Sequence, residues 1–265
     1  MKFFKTISIT LTLIPSLSGH AFNDSFKRSI DIADVKEFRM EDCNISKRNE
    51  HKPIIFIFDG NMGYNAVTYA KAKYPRAKVT SDIRVSEVIN QGGHFIKGSI
   101  RGFANTLNSQ TNWFYFPFND GKRGTAYKCL KKLQKQLDGG LDRINIFAFS
   151  NGVHMAMDLA KMMEKKFPKI DIGRFVGVDP IAYPARYALG LYSFERAENM
   201  NYVKSIYQRS DSGGSLFGIP LKGSPIKDAD ENIQVFNLGE GGHMRILVSH
   251  EVRNLLKEEL SAIIN

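Results

Sequence analysis

From residue 53 onward, short apolar segments alternate with longer segments of helical periodicity. The apolar segments span residues 53–58, 113–118, 144–149, 174–178, 202–208 and 233–238. Most are apolar at successive positions, as expected for strands covered by helices on both sides. Strands that alternate with helices are joined by right-handed crossovers. The pattern therefore predicts an α/β fold with a mainly parallel central sheet flanked by helices on both faces.

Three amphipathic helices are predicted between and after these strands. Apolar residues recur at three- and four-residue spacing over residues 127–137, 153–163 and 252–263. The second helix is predicted to end at Lys165-Lys166, whose cations suit the negative end of the helix dipole. Two regions are less regular. An early edge strand is expected around residues 35–40, and helix and loop over residues 75–112.

Residues 1–21 have the layout of a secretory signal peptide. Lys2 and Lys5 form a basic start, an apolar run covers residues 7–17, and Gly19 and Ala21 are small residues before a cleavage point. The alternatives are a buried N-terminal strand and a membrane anchor, but the run is short for a bilayer span. We therefore expect an exported protein, periplasmic or secreted, with residues 22–265 forming a single domain.

The chain is basic, with a formal net charge of +10 and an isoelectric point near 9.5. Its cations are spread along the sequence and accompany no nucleic-acid-binding motif, so no nucleic-acid partner is expected. We favour the interpretation that these cations form an ordinary solvated surface. The alternative is peripheral contact with anionic membrane lipid, which a basic surface attracts.

Two cysteines remain after the predicted cleavage, Cys43 and Cys129. In an exported protein they can form a disulfide. Cys129 also lies on an apolar helical face, where a buried free thiol is the competing interpretation.

The most informative segment places a serine between a strand and a helix. The apolar strand 144–149 runs directly into Ser150, and the helix follows at once. A sharp turn there lifts the side chain to where a substrate reaches it, and the crowded turn requires small residues two positions away. Ala148 and Gly152 meet that requirement. The alternative is that Ser150 only caps the helix.

This segment resembles the nucleophile elbow of the α/β-hydrolases, G-x-S-x-G, with Ala148 in place of the first glycine. The resemblance covers roughly residues 53–260. It implies a lipase- or esterase-like serine hydrolase with Ser150 as the nucleophile. The chemistry implied is acyl transfer to water through an acyl-enzyme, with no metal and no organic cofactor.

A serine nucleophile needs a base, and the family's chain order is serine, acid, histidine. His243 fits as the base because it follows the last predicted strand, in the glycine-rich loop 239–243. Two acids are candidates. Asp179 ends the strand 174–178 in an Asp-Pro sequence that resembles a lipase branch of the family, whereas Asp211 follows the next strand, where most members carry the acid. We favour Asp179 and keep Asp211 as the alternative.

An oxyanion hole requires two donors aimed at the tetrahedral oxygen. The backbone N–H of Asn151, next to the nucleophile, is one candidate. The other is expected from Asn61 or Met62, in the loop 59–63 after the first strand, where glycines let the backbone turn an N–H inward. A plain turn is the competing interpretation of this loop.

The substrate is expected to be a small-molecule or lipid ester. Apolar residues that include Tyr183, Tyr187 and Phe194, and a second apolar turn at 216–221, follow predicted strands. Loops at the carboxyl ends of parallel strands build the binding site in such folds. Ordinary core packing is the alternative for these residues. Other activities on the same triad are a thioesterase, a peptidase or an acyltransferase, and the fold also suits a non-catalytic binding protein.

Overall fold

A six-stranded sheet, in which all neighbouring strands are parallel, forms the centre of the computed structural model, in the order β10-β6-β4-β3-β1-β2. The structure describes residues 43–58, 60, 110–116, 123–181, 193–209, 215–216, 219–220, 222–236, 238, 243 and 246–265. The strands are β1 Ile54–Phe58, β2 Asn112–Phe116, β3 Arg143–Phe149, β4 Asp171–Val178, β5 Phe194–Glu195, β6 Met200–Tyr207, β7 Ser215–Leu216, β8 Ile219–Pro220, β9 Ile226–Lys227 and β10 Glu231–Gln234. β5 pairs with β9 and β7 with β8 in two small separate sheets.

The helices are α1 Arg123–Gln136, α2 Asn151–Lys166 and α3 His250–Ile264, with short 3₁₀ turns at Lys47–Asn49 and Ile246–Val248. The predicted α/β fold with a mainly parallel sheet is confirmed. The expected signal peptide 1–21 and edge strand 35–40 lie outside the described residues, as does nearly all of segment 75–112. In the part of the chain that the structure describes, no helix is long and apolar enough to cross a membrane.

Each central strand contributes side chains to two separate cores, one on each face of the sheet. Along β1, Phe56 and Phe58 pack on the face covered by α1 and α2, whereas Ile55 and Ile57 pack on the face covered by α3. This division follows from the period of two in a strand, which sends successive side chains to opposite faces. Helices therefore cover both faces, as predicted, and the strand sequences are apolar at nearly every position for that reason.

A disulfide joins Cys43 to Cys129 across a sequence separation of 86 residues. Cys129 lies on α1 and both cysteines are fully buried. The bridge ties the first described segment of the chain to the helical layer on one face of the sheet. Of the two interpretations left open by the sequence, the structure has the disulfide.

We expect the Cys43→Ala/Cys129→Ala double variant to unfold at a lower urea concentration than the oxidised wild type. Freeing a loop of this length from its cross-link raises the entropy of the unfolded chain, which lowers the free energy of unfolding by about 2–5 kcal/mol. Urea denaturation followed by circular dichroism measures the change. Reductant should shift the wild type toward the variant and leave the variant unchanged; a wild type insensitive to reductant would contradict the prediction.

A charged cluster, made of Arg174, Tyr202, Lys204, Glu231 and Glu259, joins α3 to the sheet. Glu259 is only 3% exposed; its carboxylate accepts from the Lys204 Nζ at 2.6 Å and from the Arg174 Nη1 at 2.5 Å. The Lys204 ammonium also lies 3.2 Å from a Glu231 oxygen. The guanidinium of Arg174 stacks over the Tyr202 ring at 4.5 Å, and the Tyr202 hydroxyl donates to Glu231.

The ionisation of this cluster follows from its contacts. Burial raises the pKa of Tyr202 to about 12, and its hydrogen bond to Glu231 acts in the same direction. Burial alone would lower the pKa of Lys204, but hydrogen bonds and charge from Glu259, with a further hydrogen bond to Glu231, raise it above its ordinary value. The hydrogen bond from Tyr202 lowers the pKa of Glu231, with Lys204 adding to the effect. At neutral pH these shifts favour a charged Lys204, a charged Glu231 and a neutral Tyr202 phenol.

Candidate active site

The turn between β3 and α2 holds Ser150 in a strained backbone conformation. Ser150 has φ of 55° and ψ of −128°, a combination that costs a residue other than glycine about 1–3 kcal/mol. Its N–H donates to the Val178 carbonyl at 2.9 Å, and its own carbonyl accepts from the Val153 N–H at 3.1 Å. These contacts to β4 and α2 hold the turn in place. The Ser150 side chain makes no capping hydrogen bond to the helix, so the hydroxyl does not serve as an N-cap.

The Ser150 hydroxyl instead meets an imidazole, which in turn meets a carboxylate. The Ser150 Oγ lies 3.0 Å from His243 Nε2, and His243 Nδ1 lies 2.5 Å from Asp179 Oδ2. All three residues are buried; Ser150 is the most exposed at 6%. The sequence places His243 in a loop, whereas its backbone is helical. The structure thus brings together the three residues selected from sequence, in the order serine, imidazole and carboxylate.

Asp179 stands immediately after β4, with φ of 47°. Its N–H donates to the Ile206 carbonyl at 2.6 Å, which fixes the turn against the neighbouring strand β6. Its two carboxylate oxygens accept from Gln208, Oδ1 from the backbone N–H at 3.0 Å and Oδ2 from the side-chain Nε2 at 3.1 Å. The alternative acid, Asp211, lies outside the described residues.

One predicted oxyanion donor can be placed. Asn151 is the first residue of α2 and is buried beside Ser150. The first N–H groups of a helix have no intrahelical acceptor, and they point outward from its positive end. Asn61 and Met62 lie outside the described residues. Gly60, just before them, passes so close to Ser150 that a Cβ there would lie 2.8 Å from the Ser150 Cβ and 3.2 Å from its Oγ. The loop after β1 therefore reaches the serine.

The remaining described histidines have other neighbours. His154 Nε2 lies 3.9 Å from an Asp158 oxygen one turn further along α2. His250 contacts Asn254 on α3 through its Nδ1, at 3.2 Å. His51 lies near the start of β1, at the opposite end of that strand from Gly60. Of the described histidines, His243 is the one in contact with Ser150.

Two residues of the site were not selected from sequence. The Phe149 ring stacks on the His243 imidazole at 5.1 Å between centroids and 15° between planes, and Gln208 binds Asp179. A sequence signal did exist for Gln208, because it is a polar residue at the end of a predicted strand, as Ser150 and Asp179 are. Phe149 gave no signal, since an aromatic residue is ordinary in a buried strand.

Most of the residues that the sequence predicts to line a substrate pocket lie outside the described residues. Tyr183 and Tyr187 lie outside the described residues. Phe194, in contrast, is 2% exposed and belongs to the core beneath α1 and α2, so it packs the interior and does not line a pocket. Among the residues that the structure describes, no group of three or more His, Cys, Asp or Glu side chains could hold a metal ion.

Comparison with known proteins finds a likeness among solved structures. No protein-family model matches the sequence, and no curated protein matches it. Among solved structures, the chain is similar to the "putative cell surface hydrolase from Lactobacillus plantarum WCFS1". The two are 14% identical, with a TM-score of 0.40, and the match covers 82% of this chain and 93% of the other. At that identity and TM-score, the neighbour's name carries no information about the activity of this chain. The sheet and the helices that flank it define this chain as an α/β protein with a parallel central sheet.

Proposed function

We propose that this protein is an exported serine hydrolase of the α/β-hydrolase type that cleaves carboxylic esters through Ser150, His243 and Asp179. The observation that carries the proposal is the buried hydrogen-bonded relay from Ser150 Oγ to His243 Nε2 and from His243 Nδ1 to Asp179 Oδ2. A serine hydroxyl is a weak nucleophile unless a base removes its proton, and that base must be held in one orientation by a third group. The three residues supply those roles in that order.

In the first half of the reaction, Ser150 Oγ attacks the ester carbonyl carbon while His243 Nε2 takes the hydroxyl proton. The negative charge on the carbonyl oxygen is stabilised by the Asn151 N–H at the start of α2, with a second donor expected from the loop that follows Gly60. The imidazolium then gives its proton to the leaving alkoxyl oxygen as the C–O bond breaks. The alcohol departs and the acyl group remains on Ser150.

In the second half, water replaces the alcohol. His243 Nε2 takes a proton from the water as its oxygen attacks the acyl carbon, and the returned proton restores the Ser150 hydroxyl. Asp179 keeps the proton of the imidazole on Nδ1 at the start of each half, so that Nε2 is free to accept. The carboxylic acid product leaves, and the reaction consumes one water and one ester bond.

An ester substrate is proposed because the segments that follow β4 and β6 are apolar in sequence. Loops at the carboxyl ends of parallel strands line the site in such folds, and apolar linings suit an acyl chain. The basic net charge of +10 would favour approach to an anionic lipid surface. Export rests on the sequence of residues 1–21.

Covalent labelling with a fluorophosphonate probe tests the proposal. We expect the wild type to be labelled, because such probes react with an activated serine hydroxyl. Labelling should be lost in Ser150→Ala, which removes the nucleophile, and in His243→Ala, which removes the base. Ser261→Ala is the matched control. Ser261 is exposed and its hydroxyl donates to the Lys257 carbonyl on its own helix, so this variant should be labelled like the wild type.

The outcomes separate the alternatives. If labelling is lost in both site variants, turnover is then compared across oxyesters, thioesters and amides of matched acyl chains. Faster turnover of a thioester or an amide would contradict the ester assignment and leave the activated serine standing. A folded wild type that stays unlabelled would overturn the hydrolase proposal in favour of a non-catalytic binding protein.

A further inference from the structure

Gln208 donates two hydrogen bonds to the Asp179 carboxylate, which His243 also contacts. Its backbone N–H and its side-chain Nε2 donate to the two carboxylate oxygens, at 3.0 Å and 3.1 Å. The side-chain contact is made to Oδ2, the same oxygen that lies 2.5 Å from His243 Nδ1. Gln208 is 1% exposed and Asp179 is fully buried, so neither donor is replaced by bulk water.

The local packing leaves Gln208 and Asp179 little freedom. Gln208 directly follows β6, whose neighbour in the sheet, β4, directly precedes Asp179. The Gln208 carbonyl accepts from the Gly223 N–H at 2.9 Å. A Cβ at Gly223 would lie 1.8 Å from Asp179 Oδ1, so only glycine lets this segment close over the carboxylate. The two strand ends and the Gly223 segment together form a tight enclosure for the acid.

On the basis of the proposed function, we infer that Gln208 is the positioning residue of the acid. Its amide holds Asp179 Oδ2 at the distance and angle from which it binds His243 Nδ1. A carboxylate can rotate about its Cβ–Cγ bond, and the backbone N–H of Gln208 constrains only Oδ1. The side-chain amide constrains the second oxygen. Because the donor is neutral, it orients Asp179 without forming an ion pair that would compete with the imidazolium for the carboxylate's charge.

This role has a specific kinetic consequence. Asp179 stabilises the imidazolium that develops as Ser150 attacks, so a rotated carboxylate weakens an interaction made in the transition state more than one made with bound substrate. Losing such an interaction lowers kcat and kcat/KM together and leaves KM nearly unchanged. A buried hydrogen bond to a charged group corresponds to a loss of about tenfold to a hundredfold in rate.

The test measures ester hydrolysis, against substrate concentration and pH, by wild type and by the variants Gln208→Met and Gln208→Glu. Methionine keeps the length of the side chain and removes the donor; we expect kcat to fall by about tenfold to a hundredfold with KM little changed. Glutamate keeps the shape as well. A protonated carboxyl can donate to Asp179 as the amide does, whereas an ionised one repels it. The kcat of Gln208→Glu relative to wild type should therefore fall as pH rises.

Gln234→Met and Gln234→Glu are the matched controls, because Gln234 ends the adjacent strand β10, pairs with Tyr207, and is half-buried. They should retain the wild-type kcat and its pH dependence. Gln208→Met with unchanged kcat, or a ratio of Gln208→Glu to wild type that stays flat with pH, would overturn the positioning role. If Gln208→Met does not fold, the pH dependence of kcat in Gln208→Glu is sufficient to test the positioning role.

Fluorophosphonate labelling of the wild type distinguishes this failure from failure of the proposed function. A labelled, active wild type whose Gln208 variants behave like it removes the positioning role and leaves the hydrolase. An unlabelled and inactive wild type removes both.

Discussion

Asp179→Asn is expected to lower kcat for ester hydrolysis by about ten-thousandfold, with little effect on folding. The reason is the donors that surround this carboxylate. An asparagine has one acceptor oxygen and one NH₂, and the Gln208 backbone N–H requires the oxygen at the Oδ1 position. The NH₂ then occupies the Oδ2 position and faces both His243 Nδ1 and Gln208 Nε2. The Gln208 side-chain amide can turn over to present its oxygen to this NH₂, whereas its backbone N–H is a fixed donor. To avoid opposing donors, the imidazole must carry its proton on Nε2, where it points at Ser150 and can no longer accept.

The matched control is Asp211→Asn, which changes the other candidate acid in the same way. It should keep kcat close to that of the wild type. Steady-state kinetics on one activated ester, with thermal unfolding as a check on folding, compares the two variants directly. A large loss in Asp211→Asn together with a small loss in Asp179→Asn would show that the acid has been assigned to the wrong strand end.

The strands that could be predicted from sequence are those whose burial is complete. β1 and β3 are apolar at nearly every position because both faces are covered, and their predicted and observed bounds differ by one residue at most. β4 begins at Asp171, three residues before the predicted start. Gly173 and Arg174 interrupt the apolar run there, yet the ladder to β6 continues through Arg174↔Tyr202. Apolar residues in the sequence indicate which part of a strand is buried. The backbone hydrogen bonds of β4 continue beyond that buried part.

The edge strand β10 and the accessory strands were predicted poorly for a related reason. The edge strand β10 was placed at residues 233–238, whereas it spans Glu231–Gln234 and begins with polar, exposed residues. The paired segments β5, β7, β8 and β9 each have two residues. Two residues cannot establish a period, so their pairing depends on contacts between distant parts of the chain.

The residues of the candidate site also differ in how far the sequence predicts them. Ser150 was selected from a local pattern, because a strand, a turn and a helix are contiguous in sequence. His243 and Asp179 were selected because each follows a predicted strand and because their order in the chain matches that of the family that the sequence resembles. Gln208 was missed because its role depends on β4 and β6 being neighbours in the sheet. Its two contacts to Asp179 span 29 residues of sequence, a relation that no local pattern records.

The charged cluster provides the largest expected effect on stability. Glu259 accepts from both Lys204 and Arg174, and it is the buried anion of the network. In Glu259→Gln these two cations lose their shared partner, and Lys204, which is 5% exposed, keeps only Glu231 at 3.2 Å. Removing one partner of a buried pair leaves a charge without compensation. We therefore expect the free energy of unfolding at neutral pH to fall by about 3–5 kcal/mol.

The pH dependence expected for the stability of the wild type has a definite sign. The pKa of Lys204 is raised, so its contribution is complete below the ordinary lysine pKa and is lost as pH rises through the value in the folded protein. Tyr202 acts in the same direction, since its pKa of about 12 favours the neutral phenol in the folded state. The lowered pKa of Glu231 gives a contribution that is lost as pH falls through the folded value. Stability should decline at both extremes.

Urea denaturation measures the free energy of unfolding of Glu259→Gln and of Glu258→Gln, two variants whose substitutions are adjacent on α3. Glu258 is exposed and adjacent, so its variant should stay within about 0.5 kcal/mol of the wild type. The double variant Lys204→Met/Glu259→Met adds a further comparison. With the single variants Lys204→Met and Glu259→Met it forms a double-mutant cycle. Replacing both side chains leaves neither the Lys204 ammonium nor the Glu259 carboxylate as a buried charge without its partner, so the double variant should be more stable than the sum of the two single losses implies. Equal losses in Glu259→Gln and Glu258→Gln would show that the buried carboxylate does not hold α3 to the sheet.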